Sequence, residues 1–258
     1  MNILDEIIVA KREEIKSYSL VEQVKGNAFP QKFRLAERLR QGPGVIAEIK
    51  RASPSKGDIR LDVDVAGQAK QYEQAGAAAI SVLTDKSYFK GSIEDLKNVA
   101  QLVSVPVLCK DFIIDEIQID RAKDAGATII LLIVAALRQE ELERLFSYAQ
   151  TQGLEVLVEV HDTEELQAAV DLGAELIGVN NRNLKTFEVS LQQTAEIAEC
   201  FPSDSNALLI SESGIFTEDD AAFAFGKGAA GILVGEALMR SEDAGGWITA
   251  VTSLEVGK

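Results

Sequence analysis

The sequence predicts an α/β protein, a (β/α)8 TIM barrel with an N-terminal helical extension. Eight short apolar runs recur with a mean step of about 26 residues, which is the length of one strand-helix unit. Gly-Ala pairs at 76, 126, 173 and 228 each stand directly before one of these runs. Because glycine is favoured just after a helix, each pair indicates a helix-to-strand connection. Eight such units close a barrel.

The first 44 residues precede the first predicted strand and exceed what a barrel needs. Their apolar positions follow helical spacing and are Ile3, Leu4, Ile7, Ile8 and Ile15. We therefore expect an amphipathic helix packed on the barrel, serving either as a stabilising cap or as a cover over the active site. With this extension included, residues 1–258 are expected to form one domain, since no low-complexity linker divides them.

The eight strands are expected to begin near residues 46, 79, 106, 129, 155, 176, 208 and 231. Their continuous apolar character is typical of parallel strands that are covered on both faces. Between them, Leu142, Leu145 and Phe146 recur at helical spacing, as a crossover helix requires. Thr217 followed by Asp220 predicts the start of the helix after the seventh strand. An open doubly wound sheet also alternates strands and helices, but the sequence lacks the glycine-rich nucleotide-binding motifs of that fold.

Composition and charge narrow the classes of function. Of 258 residues, 47% are hydrophobic, enough for a sizeable core, and 41 acidic against 26 basic side chains give a net charge of -15. This charge opposes binding to nucleic acid or to an anionic membrane, so neither is an expected partner. Acidic residues near the N-terminus argue against a signal peptide, and the longest apolar run, 129–137, is too short to cross a bilayer.

The chain has one histidine, His161, and two separated cysteines, Cys109 and Cys200. These residues exclude histidine-rich and cysteine-only metal sites, so no metal is expected. Two isolated thiols fit a reducing compartment, and the cytoplasm is the expected location. For His161 beside Asp162, we expect helix capping by Asp162 or surface exposure rather than a catalytic triad.

Charged residues stand at the predicted C-terminal ends of the strands, which converge on the mouth of a barrel. Alternation along the first strand places Glu48 and Lys50 on one face, and Lys110 and Glu159 enter the same mouth from two other strands. Desolvation tends to lower the pKa of a lysine and to raise that of a carboxylate, so this cluster can supply an acid and a base. The alternative is a set of salt bridges that braces the mouth.

Two glycine-containing turns predict a phosphate site. Gly214 follows the seventh strand and Gly235 follows the eighth, the usual position of phosphate in barrels. Free backbone N–H groups there can bind a phosphate dianion without a basic side chain. The alternative is that both glycines only permit tight turns. Phe89 and Phe112 flank the charged mouth, either as a wall for a planar group or as ordinary core residues.

With these residues assembled, the sequence resembles the indole-3-glycerol-phosphate synthase family, from the extension through the eighth strand. The motifs that carry the resemblance are EIKRASPS at 48–55, CKDF at 109–112, LLIV at 131–134, GVNNRNL at 178–184 and SESGI at 211–215. The resemblance implies a phosphorylated small-molecule substrate, 1-(2-carboxyphenylamino)-1-deoxyribulose 5-phosphate. It would be converted to indole-3-glycerol phosphate, with loss of carbon dioxide and water, as a step of tryptophan biosynthesis. No cofactor is implied.

The resemblance also implies catalytic roles, residue by residue. Lys110 would be the general acid that protonates the ketone oxygen during ring closure, and Lys50 would hold the substrate carboxylate or also deliver a proton. The resemblance leaves open which of the two lysines serves the dehydration step. Glu159 would act as the general base after decarboxylation. Glu48 and Asn180 would bind the sugar hydroxyls and assist dehydration.

The remaining implied positions bind or shape the substrate. They are Ser53, Ser213, Gly214, Gly235 and Glu236 for the phosphate, Phe89, Phe112, Leu131 and Leu184 for the aryl ring, and Arg182 and Glu212 for the shape of the cluster. Glu236 departs from the family pattern, in which serine is common. A carboxylate would repel phosphate, so we expect Glu236 to offer its backbone N–H and to turn its side chain away.

Three other functions fit parts of this pattern. One is another phosphosugar barrel enzyme such as phosphoribosylanthranilate isomerase, and a second is an aldolase that forms a Schiff base on Lys110 or Lys50. A third is a noncatalytic phosphate-binding barrel. Two lysines together with Glu159 favour the synthase, because an isomerase needs mainly one acid and one base. A monomer is the expected assembly.

Overall fold

A closed barrel of eight parallel strands forms the centre of the computed structural model, which describes residues 2–18, 29–202 and 205–254. The strands are β1 Gly44–Ile49, β2 Ala79–Leu83, β3 Val107–Lys110, β4 Ile129–Ile133, β5 Glu155–Val160, β6 Leu176–Asn180, β7 Leu208–Glu212 and β8 Gly231–Val234. Each strand pairs with its neighbours in chain order, and β1 closes the ring against β8. The predicted (β/α)8 class is confirmed, with every strand starting within two residues of its expected position.

Helices alternate with the strands, and most of them cover the outside of the barrel. They are α1 Ile3–Ile15, α2 Leu35–Leu39, α3 Val65–Gln74, α4 Ile93–Leu102, α5 Glu116–Asp124, α6 Gln139–Thr151, α7 Thr163–Asp171, α8 Gln192–Glu199, α9 Glu218–Gly226, α10 Glu236–Arg240 and α11 Ala244–Thr252. The predicted start after the seventh strand is confirmed, since Thr217 and Asp220 form a reciprocal cap at α9. Within the described ranges, none of the helices has the length and hydropathy needed to cross a bilayer.

Alternation along each strand divides the apolar residues into two layers. In β1, Val45 and Ala47 pack outward against the helices, while Ile46 packs inside the barrel with Leu108 and Ile210. Both faces are therefore buried, which explains why the strands appear in the sequence as unbroken apolar runs. Glu48 follows Ile46 by two positions. The same alternation therefore points its side chain into the barrel, near the mouth.

The bottom of the barrel, opposite the mouth, is closed by the second helix of the extension. The Glu155 carboxylate, at the start of β5, accepts hydrogen bonds from the backbone N–H groups of Leu35 at 2.8 Å and Ala36 at 3.0 Å. These two groups lie in the first turn of α2, where no helical acceptor is available to them. A buried carboxylate therefore fixes α2 across the bottom, away from the charged mouth.

The first helix of the extension lies at the opposite end, beside the mouth. Leu4 and Ile7 of α1 are buried, which confirms the predicted packing of residues 3–15 on the barrel. Lys11 is 1% exposed, and its Nζ lies 2.9 Å from both Asp85 and Asp111, which follow β2 and β3. Burial alone would lower the pKa of Lys11, but Asp111, Glu14 and Asp85 raise it above its usual value. Residues 19–28 of the extension lie outside the described residues.

Replacing Lys11 with methionine should destabilise the protein by about 3–5 kcal/mol, because two largely buried carboxylates would lose their shared cation. The matched control is Lys16→Met, which breaks an exposed pair with Glu13 on the same helix and should cost less than about 1 kcal/mol. Urea unfolding of both variants measures the difference. Equal losses of stability in the two variants would contradict the anchoring role of Lys11.

Candidate active site

The C-terminal ends of the strands surround a cavity at the mouth of the barrel that encloses about 1170 Å³, including the part open to solvent. Its lining contains all sixteen residues that the sequence singled out: Glu48, Lys50, Ser53, Phe89, Lys110, Phe112, Leu131, Glu159, Asn180, Arg182, Leu184, Glu212, Ser213, Gly214, Gly235 and Glu236. The fold thus brings together residues that are up to 188 positions apart in the chain. Their individual roles stay predictions.

Lys110, the last residue of β3, lies at the centre of the charged group. Its Nζ is 2.9 Å from Oε2 of Glu159 and 3.1 Å from Oε2 of Glu212, and its side chain is 14% exposed. Burial alone would lower the pKa of Lys110, but the carboxylates of Glu159, Glu212 and Glu48 raise it above its usual value. The lowered lysine pKa expected from desolvation is therefore wrong here, because three carboxylates outweigh the loss of solvation.

The two carboxylates beside Lys110 differ in their protonation. Burial by itself would raise the pKa of Glu159, but Lys110, His161 and Asn180 hold it well below its usual range. Burial raises the pKa of Glu212 to about 7, since Lys110 offsets only part of that effect and Glu159 adds a negative charge nearby. The mouth therefore holds, beside one ammonium group, a carboxyl group whose pKa is lowered and another whose pKa is raised.

Glycine in β6 makes room for Glu212. A Cβ on Gly178 would overlap Oε1 of Glu212, so only glycine lets that side chain lie across β6 toward Lys110. Oε1 has no hydrogen-bond partner within the described part of the chain. In the sequence, Gly178 stands out only as part of the motif at 178–184, because glycine in a strand does not show which side chain fills the space above it.

A second ion pair lies across the mouth at the end of β1. Nζ of Lys50 is 2.7 Å from Oε1 of Glu48, and the hydroxyl of Ser81 lies 3.4 Å from the other carboxylate oxygen. Gly235, directly after β8, packs against this ion pair, since a Cβ at that position would contact Glu48 and Lys50. The predicted phosphate turn and the Lys50 ammonium group are therefore neighbours.

Asn180 and the residue after it connect three strand ends. Nδ2 of Asn180 donates to Oε1 of Glu159 at 3.0 Å, and Oδ1 of Asn180 accepts from the backbone of Arg182 at 3.0 Å. Asn181 is buried and donates to Ser211 and to the carbonyl oxygens of Glu212 and Ser213. Asn181 was not among the predicted site residues, because the sequence does not show that its side chain bonds the end of the next strand.

Apolar residues form one wall of the cavity. The rings of Phe89 and Phe112 lie 5.9 Å apart at an angle of 38°, close to a tilted aromatic pair. Leu131 and Leu184 continue this wall, and helix α1 adds Ile3, Leu4 and Ile7. Of the two roles left open for the extension, covering the mouth agrees with this position.

The predicted phosphate turn after β7 adopts a left-handed backbone conformation. Ser213 has φ +67° and Gly214 has φ +81°, two successive left-handed residues. Such a pair turns adjacent N–H groups toward one side of the loop. The Glu236 carboxylate lies 3.1 Å from Nε of Arg240 and 3.6 Å from Nζ of Lys56, so two cations neutralise the residue that departs from the family pattern.

His161 is placed differently from one expectation. Asp162 caps α7 as predicted, with its Oδ1 accepting from the Glu165 N–H at 2.9 Å. Surface exposure of the histidine is wrong, since its side chain is 15% exposed and lies between Glu159 and Glu165. Strand alternation turns position 161 to the same side as Glu159, and two carboxylates stabilise the imidazole there.

Fold and site together define an enzyme-like TIM barrel, with acid and base groups at the mouth and an apolar wall beside them. The indole-3-glycerol phosphate synthase family model matches residues 4–251, and the chain belongs to that family. It is 53% identical to an indole-3-glycerol phosphate synthase of Exiguobacterium sibiricum over 99% of this chain and 98% of the relative. It is 51% identical to one of Oceanobacillus iheyensis over 93% of each chain.

Among solved structures, thiamine phosphate pyrophosphorylase from Pyrococcus furiosus aligns with a TM-score of 0.60 at 20% identity. The alignment covers 84% of this chain and 96% of that one. At this identity the likeness supports the barrel fold alone.

Gly178→Ala should destabilise the protein by about 1–3 kcal/mol, because the added methyl group would displace Glu212 from Lys110 or force β6 to shift. The control is Gly226→Ala at the end of α9, where a Cβ would meet no atom within 4 Å. That change should be neutral or stabilising by up to about 1 kcal/mol. Chemical unfolding compares the two variants, and an unperturbed Gly178→Ala protein would contradict the packing described for Glu212.

Proposed function

We propose that this protein catalyses the indole-3-glycerol phosphate synthase reaction of tryptophan biosynthesis, a carboxy-lyase step. The substrate is 1-(2-carboxyphenylamino)-1-deoxyribulose 5-phosphate, and the products are indole-3-glycerol phosphate, carbon dioxide and water. The observation that carries the proposal is the position of Lys110 between Glu159 and Glu212 in a cavity with an aromatic wall. Family membership at about half identity over nearly the full chain supports the same reaction.

Ring closure needs a proton at the ketone oxygen while the aryl carbon attacks the carbonyl carbon. Lys110 is the proton donor in this proposal, and its raised pKa keeps it protonated at neutral pH, as a general acid must be. The paired rings of Phe89 and Phe112 offer an apolar face to the substrate ring. The attack is then favoured because the two reacting carbons are held close together.

Decarboxylation restores the aromatic ring after the new carbon-carbon bond has formed. Lys50 binds the carboxylate until that step. Its Nζ is bound to Glu48 in the structure, so substrate binding would exchange one carboxylate partner of Lys50 for another. When carbon dioxide leaves, Lys50 loses its carboxylate partner on the substrate, and the Glu48 pair can form again.

Dehydration removes the hydroxyl group that ring closure created, together with a proton from the new five-membered ring. Glu159 is the base for that proton, and Asn180, which donates to Oε1 of Glu159, also faces the sugar hydroxyls in this proposal. The departing hydroxyl takes a proton from the ammonium group of Lys50 and leaves as water, and Glu48, which is paired with Lys50 across the mouth, assists this transfer. Arg182 and Glu212 keep these groups in place.

The phosphate binds at Ser53, Ser213, Gly214, Gly235 and Glu236, through backbone N–H groups and hydroxyls. This arrangement explains how a chain with net charge -15 can bind an anionic substrate. The two cations beside the Glu236 carboxylate reduce its repulsion of phosphate.

We also propose that the enzyme acts as a monomer in the cytoplasm and that residues 1–258 form one domain. The two cysteines support a reducing compartment, since Cys109 and Cys200 are both free thiols.

Product formation can be followed directly by indole fluorescence after adding the carboxyphenylamino deoxyribulose phosphate. Lys110→Met should lower kcat by about 10²–10⁴-fold, because the proton donor is lost. Lys70→Met on the exposed face of α3 should leave kcat unchanged. Circular dichroism would verify that both variants are folded.

Borohydride added with substrate should trap no covalent adduct on the wild-type protein, since the proposed reaction forms no Schiff base. A trapped adduct on Lys110 or Lys50, or undiminished turnover in Lys110→Met, would contradict the proposed mechanism.

A further inference from the structure

The only histidine of the chain lies directly behind the proposed base. Nε2 of His161 is 3.4 Å from Oε1 of Glu159, which is an ion-pair contact without hydrogen-bond geometry, and it has no hydrogen-bond partner among the residues that the structure describes. Glu159 and His161 are two positions apart, at the end of β5 and just beyond it. Both side chains therefore project to the same side of the strand.

The opposite edge of the imidazole is bound by a residue of α7. Oε2 of Glu165 accepts hydrogen bonds from Nδ1 of His161 at 3.0 Å and from the backbone N–H of His161 at 2.8 Å. Nε2 of Gln193 donates to the carbonyl oxygen of His161 at 2.9 Å. The ring is thus held by Glu165 of α7, the backbone of His161 is also held by Gln193 of α8, and the second ring nitrogen lies nearest to the base.

We propose that His161 is a positioning residue for catalysis, an imidazolium held by Glu165 that orients the Glu159 carboxylate and keeps it ionised to accept the substrate proton. This inference rests on the proposed function. It assigns the chain's single histidine to the reaction without contact between His161 and substrate, since His161 does not line the cavity.

The contacts of Glu159 show what the histidine adds. Oε2 bonds Lys110, and Oε1 accepts from Asn180. When Lys110 gives its proton to the substrate, it becomes neutral, and the nearest remaining cation that faces Glu159 is His161. An imidazolium there would keep the carboxylate charged through the step in which Lys110 has lost its own charge.

The charged groups around His161 and Glu159 favour the protonated form of the histidine. Glu165 faces His161 from α7 and Glu159 faces it from β5, while Lys110 from β3 and Glu212 from β7 face Glu159. Burial alone would lower the pKa of His161, but the adjacent carboxylates of Glu159 and Glu165 raise it to about 10. The imidazole is therefore charged across the neutral range.

Three variants test the assignment. His161→Leu removes both the hydrogen-bond donor and the charge, His161→Gln keeps a donor without charge, and Glu165→Gln weakens the support of the ring. Glu164→Gln is the matched control, because it makes the same charge change at an exposed position on the same helix.

We expect kcat to fall by roughly tenfold to a hundredfold in His161→Leu and by less in His161→Gln, with KM little changed. The acidic limb of the kcat profile should move to higher pH in both variants, because loss of the imidazolium raises the pKa of Glu159. Glu164→Gln should match the wild type in kcat and in its pH profile. A merely structural role would not move the pH profile.

A second measurement does not depend on activity. Because the chain has one histidine, its imidazole signals in a nitrogen-15 NMR spectrum are assigned without mutagenesis. They should show an imidazolium at pH 8 in the wild type and a lower imidazole pKa in Glu165→Gln. A neutral imidazole at pH 8 in the wild type would overturn the inference.

The contribution of His161 to the stability of the protein should also depend on pH. The folded-state pKa of His161 is raised from 6.5 to about 10, so its contribution to stability is complete below pH 6.5 and is lost as pH rises toward 10. The difference in unfolding free energy between wild type and His161→Leu should follow that curve.

The activity results separate the two proposals. No indole fluorescence from the wild-type enzyme would overturn the proposed function and this inference with it. Full activity of the wild type, with unchanged kcat and pH profile in His161→Leu, would overturn the inference alone.

Discussion

Lys110 carries a positive charge at the end of a barrel strand where little water can solvate it. The neighbouring strands compensate for the lost solvation with carboxylates. Glu159 from β5 and Glu212 from β7 each place a carboxylate oxygen within 3.1 Å of its ammonium group. An ammonium group without these partners would lose its proton or its place in the cavity. The pairing therefore determines both where the side chains lie and which of them hold protons.

Several features of neighbouring residues follow from the same pairing. Position 178 is a glycine, which leaves the space above β6 free for the side chain of Glu212. Asn180 donates to Glu159, and Asn181 holds the two loops that carry Glu212 and Asn180 in fixed positions. His161 lies 3.4 Å from Glu159 on the side away from the cavity. The Glu159 carboxylate therefore contacts Lys110, Asn180 and His161.

A second buried cation connects the extension to this centre. Lys11 of α1 pairs with Asp111, the residue directly after Lys110. Placement of the extension is thus coupled to the loop that follows β3, and the apolar residues of α1 reach the cavity as a consequence. The extension is part of the mouth as well as a cover for the barrel.

The sequence by itself determined the barrel class, the eight strand positions and the membership of all sixteen predicted residues in one cavity. Strand periodicity and the convergence of strand ends at a barrel mouth account for the fold, the strand positions and the charged residues of the mouth, since both depend on local pattern and on topology. Leu131 and Leu184 were predicted from the family resemblance. Only the tertiary structure decided the direction of the Lys110 pKa shift, the burial of His161 and the space that Gly178 leaves for Glu212. These depend on distances between side chains from different strands, because a charge responds to every group within a few ångströms of it, and chain spacing does not encode such distances.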